Sequence, residues 1–146
     1  MRLLVFFILG FTSFFENKKL DYTLHIEYSI AFSNEKRIYD FDKKSIRKTV
    51  IDENQKETIY HYKLKNNEIE MLNTMIKKLF DLKDCYSTEQ SVIDGFITKV
   101  HISKSKIILK KIELNNVELS EVNFFRDYAI NCFSLHNTIN HNTPPK

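Results

Sequence analysis

Apolar and polar positions alternate from Tyr22 to Ser33, with Tyr22, Leu24, Ile26, Tyr28, Ile30 and Phe32 in one phase and Thr23, His25, Glu27, Ser29, Ala31 and Ser33 in the other. A period of two is that of a strand with one buried face. Ser33-Asn34-Glu35-Lys36 supplies turn chemistry, and Arg37 to Phe41 returns as a second strand until Asp42-Lys43-Lys44 breaks it. Ser45 to Ile51 reads as a weaker third strand. Asp52 to Lys56 is polar enough to be the hairpin loop into a fourth, where Thr58, Tyr60, Tyr62 and Leu64 face inward and Ile59, His61, Lys63 and Lys65 outward.

The period then changes. Ile69, Leu72, Ile76, Leu79 and Phe80 share one helical face, flanked by Met71, Met75 and Leu82, while Asn67 and Glu70 have the spacing of a capping box. Such a stripe of Met, Leu and Phe belongs to a core. Lys83 to Ser91 reads as a loop, and Phe96, Thr98, Val100 and Ile102 restore alternation against Ile97, Lys99, His101 and Ser103. From Lys106 to Leu114 the apolar phase slips between Ile107/Leu109 and Ile108/Ile112/Leu114, which calls for a bulge or for burial on both faces. Ser120 caps a second helix with Val122, Phe125, Ala129, Cys132 and Phe133 on its inner face.

These elements predict an α+β fold: an antiparallel-rich sheet of five to six strands with two helices packed on one face, in the order β-β-β-β-α-β-β-α. A single domain spans 20–135, followed by a polar tail over 136–146. The 146 residues leave room for one domain of ordinary size, and a charged fraction of 28% fits a soluble surface. The net charge of +3 is carried mainly by Lys in a chain rich in Asn, Ile, Phe and Tyr, so it says little about a polyanionic partner.

Residues 1–15 change the picture of where the protein acts. A short basic start, Met1-Arg2, precedes an apolar block to Phe15 and a polar exit through Glu16-Asn17-Lys18-Lys19. That is the layout of a signal peptide, and the block is shorter than the roughly 20 apolar residues of a spanning helix. The expected location is the periplasm, cell envelope or medium, with membrane association through residues 1–15 if the segment stays attached.

Glycine occurs only at positions 10 and 95, which rules out glycine-rich phosphate loops, dinucleotide fingerprints and nucleophile elbows. Cysteine and histidine spacings match no common zinc module. No cofactor is expected, apart from a divalent metal if His25, His61 and His101, all in outward strand phases, met on the open face. Cys85 and Cys132 form a candidate disulfide in an exported protein, although Cys132 lies about 18 Å along its helix and a bridge needs Cα atoms within about 7 Å. Lys104, Lys106, Lys110 and Lys111 make a basic hairpin, read as a solvated face rather than a nucleic-acid surface.

The function expected is therefore a small exported, non-enzymatic binding module acting on a protein or cell-envelope partner, as inhibitors and immunity-type proteins do, with no nucleic-acid partner. Its candidate surface is His25, Glu27, His61, Lys63, Lys99 and His101, or an open sheet edge. The alternatives are a metal-assisted hydrolase using the three histidines and a structural envelope component anchored by its N-terminus.

Overall fold

The computed structural model describes residues 18–30, 33–88 and 95–140, the last six of these by backbone alone. Four strands come first: β1 (Thr23–Ile30), β2 (Lys36–Asp42), β3 (Ser45–Ile51) and β4 (Glu57–Lys63), then α1 (Asn66–Leu79). A short β5 (Cys85–Ser87), β6 (Phe96–Lys104), β7 (Ile107–Asn115) and α2 (Ser120–Asn140) complete the fold. The strands form one mixed sheet in the order β4-β3-β2-β1-β6-β7-β5, antiparallel throughout except where β5 runs parallel to β7.

The fold class and element order follow the alternation, but the sheet has seven strands rather than five or six. The addition is β5, inside the segment expected to be a loop. Its three residues are too few to show alternation. They extend because β7 offers a free edge: Glu113 N–H donates to Asp84 O at 2.9 Å and Thr88 N–H to Asn115 O at 3.3 Å.

Both helices cover one face of the sheet. Leu24 and Ile26 of β1, Tyr39 and Phe41 of β2, and Val100 and Ile102 of β6 are buried against Ile69, Leu72, Ile76 and Leu79 of α1 and against Val122, Phe125 and Ala129 of α2. Phe41 and Phe125 meet edge to face with centroids 5.5 Å apart, which joins the sheet to α2. The inward phase is not buried along its whole length. Ile30 is exposed, and β4 at the sheet margin buries none of its seven residues. The phase slip in β7 is a bulge: Ile102 opposes Lys110 but Ser103 opposes Ile108, which leaves Leu109 extra. Ile107, Ile108 and Leu109 are all exposed, so burial on both faces is not the reason for the slip.

Turn chemistry sets the register. Asp52 Oδ1 accepts from the N–H groups of Asn54 and Lys56, each at 2.9 Å, and closes the loop between β3 and β4. Ser105 and Lys106 both adopt positive φ, as the two-residue turn joining β6 to β7 requires. The cap of α1 lies two residues earlier than Asn67 and Glu70. Glu68 accepts from Lys65 N–H at 2.6 Å and from the Tyr62 hydroxyl at 2.9 Å, so one carboxylate fastens the end of β4 to the start of the helix. Glu70 instead pairs with Lys18.

Asn116, just past β7, sits in the left-handed region at φ 57°. Its side-chain oxygen accepts from Phe96 N–H at 2.8 Å, and its own N–H donates to Phe96 O at 3.0 Å. The amide occupies the space where a side chain on Gly95 would go: a Cβ there would lie 2.1 Å from Asn116 Oδ1.

Candidate functional site

The face of the sheet away from the helices carries the outward phase of every strand. Antiparallel register brings one residue from each of six strands into a single transverse row: His61, Arg47, Asp40, His25, His101 and Lys111, each directly opposed to the next. Side chains so opposed on one face are within interaction distance.

Asp40 holds the centre of the row. Its Oδ2 accepts from Arg47 Nε at 3.0 Å and Nη2 at 2.8 Å, and its Oδ1 lies 2.6 Å from His25 Nδ1. Partial burial works against the charged carboxyl, but the hydrogen bonds from His25 and Arg47 outweigh it and keep Asp40 below the usual carboxylate range. The hydrogen bond to Asp40 in turn raises the His25 imidazole above its ordinary value, against the opposing effect of burial. His101 stacks on His25 with ring centroids 5.8 Å apart. Burial and then the charges of His25 and Lys111 lower its proton affinity.

The candidate surface is only partly brought together. Glu27 and Lys99 oppose each other on the row beside His25 and His101, and Glu27 also pairs with Lys36 at 3.4 Å. His61 lies at the far end of the transverse row, with Lys63 two residues on, both on β4 at the sheet edge. β2 and β3 stand between β4 and β1, so His61 is three strand spacings, roughly 14 Å, from His25. The three histidines therefore do not converge, and no group of three or more His, Cys, Asp or Glu among the described residues is arranged to hold a metal ion. The cause is topological: the first four strands form a meander that carries β4 outward, while β6 inserts beside β1.

The candidate disulfide is not formed. Cys85 is an exposed thiol on the β5 edge, whereas Cys132 is buried in α2 near Tyr62 of β4, at the opposite edge. The basic hairpin is also divided. Lys104 Nζ lies 5.6 Å from the centre of the Tyr22 ring, Lys110 pairs with Asp84 at 2.6 Å, and Lys111 belongs to the transverse row.

Beside the histidine pair lies an open groove of about 710 Å³, bordered by Lys99, His101, Lys111 and Glu113, with Cys85 and Ile108 at its margins. An imidazole oriented by a carboxylate is also the arrangement of a general base. Here the ring holds its proton more tightly than an ordinary imidazole, packs on a second imidazole and lies on open sheet rather than in an enclosed cleft. Asp40 and Arg47, which orient the site, carry no signal in the alternation that singles them out. Asp40 does occupy the outward phase between Tyr39 and Phe41, and the β1–β2 hairpin register places it opposite His25.

Compared with family models, curated proteins and solved structures, the chain matches none of them. Its own geometry is therefore the basis for a functional reading.

Proposed function

We propose that the protein is a small exported binding module that docks a partner protein or envelope component on its open sheet face. The observation that carries this reading is the Arg47–Asp40–His25–His101 row. Its side chains are fixed by hydrogen bonds and ring stacking on a surface that neither helix covers. Preorganised polar groups lose little rotamer freedom on association, which favours recognition.

The chemistry favours an acidic partner. Asp40 is already engaged by Arg47 and His25, and although Lys99 stands opposite Glu27 and Glu113, Lys111 lies opposite His101 and brings positive charge to the groove. Charges at such a rim act mainly on association rate and partner choice. Export rests on residues 1–15, which lie outside the described residues; among those described, no helix is long and apolar enough to cross a membrane.

The test is capture from envelope fractions of the native host, with the wild-type chain compared with the Lys99→Glu/Lys111→Glu variant at low and high salt. A partner held by the wild type, lost by the variant and weakened by salt would support the reading. Identical captures by the two chains would overturn it. The intact mass of the protein from each subcellular fraction tests export separately.

A further inference from the structure

The two margins of the sheet are built differently. At one, β5 covers Glu113–Asn115, and the rest of β7 carries the bulge at Leu109 together with Lys110 and Lys111. Bulges and lysines are the usual defences of an open edge. At the other margin, β4 pairs among the described residues only with β3, carries a single lysine, Lys63, runs for seven residues without proline, glycine or bulge, and is exposed at every position but the half-buried Tyr62.

The sequence of this edge is complementary to itself. In an antiparallel pairing about a two-fold axis through Tyr60, Glu57 meets Lys63 of the second copy, Thr58 meets Tyr62, Ile59 meets His61, and Tyr60 meets its own counterpart. Among the registers that keep both copies' helices on the same side, this one alone pairs all seven residues. It also alone brings Glu57 opposite Lys63. Within the chain their neighbours on β3 are Ile51 and Ser45, so neither has a charged cross-strand partner there.

We infer that β4 is a homodimer interface, with a second copy of this chain adding its β4 antiparallel to continue the sheet. The backbone groups on the free side of the strand then pair, two symmetric Glu–Lys contacts close the ends on the open face, and the tyrosines meet on the helix side. Tyr60 has support behind it. Its ring centroid is 6.1 Å from that of Phe133, and Lys48 Nζ lies 5.4 Å from its centre. Because the contact is isologous, it closes at two copies and does not propagate into fibres. This assignment is independent of the partner proposed for the open face.

Sedimentation velocity of the full chain from about 1 μM to about 1 mM tests it. A monomer–dimer equilibrium is expected. Glu57→Lys alone or Lys63→Glu alone sets like charges opposite each other twice, and is expected to raise the dimer dissociation constant on the order of tenfold. The Glu57→Lys/Lys63→Glu double variant restores the pairing with its signs reversed and should return to near the wild-type constant. Circular dichroism of each variant confirms that the monomer remains folded. A chain that stays monomeric throughout, or a dimer indifferent to the single changes, would overturn the assignment.

Discussion

His25 and His101 stand directly opposite each other on β1 and β6 with their rings only 18° from parallel, yet their surroundings move their proton affinities in opposite directions. The Asp40 hydrogen bond raises His25, whereas burial and then the His25 charge lower His101. The pair is therefore asymmetric: His25 holds its proton more tightly than His101, so as pH rises His101 gives up its proton first.

A defined pH dependence follows. The His25 contribution to stability is complete below its ordinary value of 6.5 and is lost as pH rises through the raised folded value. The Asp40 contribution is present above its ordinary value of 3.8 and is lost as pH falls through the depressed folded value. Asp40→Asn is expected to cost about 1–2 kcal/mol near pH 6. The deficit shrinks on either side of that window, and the His25 titration moves to lower pH. NMR titration of the imidazoles together with melting curves at several pH values would check both effects.

The core should respond as a packed solid. Phe41 and Phe125 are both fully buried and in edge-to-face contact, so Phe125→Ala is expected to cost about 3–5 kcal/mol in denaturant unfolding. Ile130→Ala, on the exposed side of the same helix, is expected to fall within about 0.5 kcal/mol of wild type.

Much of this arrangement was legible in the chain. Ile69, Leu72, Ile76 and Leu79 are all buried, as the helical period required, and so is the inner stripe of α2 from Val122 to Phe133. Alternation located β1 and β6, and the slip at Ile107–Ile112 marked the bulge. Strand order was not legible, because period-two patterning says which face a residue occupies but not which strand lies beside it. Phase alone therefore groups His61 with His25 and His101, and only the register shows that Asp40 and Arg47 lie between them. The early start of α1 has a similar origin. Glu68 and Glu70 both lie three residues after a residue able to begin the helix, and the tertiary contact to Tyr62 decides between them.

At Gly95, the one glycine among the described residues, an added methyl group has nowhere to go. Asn116 cannot simply swing aside, because its side-chain oxygen holds Phe96 N–H. Gly95→Ala is expected to destabilise by about 1–3 kcal/mol. Adding Asn116→Gly should recover part of that loss, since glycine keeps the left-handed backbone and removes the clash. Urea unfolding of the two variants measures the difference.

The thiols should be distinguishable under native conditions. Cys85 is exposed and is expected to alkylate at once. Cys132 is buried, with its thiol pushed above the ordinary range mainly by that burial, and should react only on unfolding. Mass spectrometry after native and then denaturing alkylation would read one label, then two. A protein that takes up none without reductant would contain the bridge after all.

The insertion of β6 beside β1 divides the assembly of the sheet in time. β1 to β4 close through short turns, and β6 and β7 close through a two-residue one, but the seam between the halves sets Leu24 against Ile102 and Ile30 against Phe96. Loop-closure entropy makes such remote pairing the slow step. A chain emerging from synthesis thus holds a nearly finished half-sheet whose edge strand, β1, has an open flank until the last third of the polypeptide arrives. Pulse-labelled hydrogen exchange during refolding should find the β1 and β6 amides facing this seam among the last to gain protection. In the cell, that waiting flank is where a chaperone would be most useful.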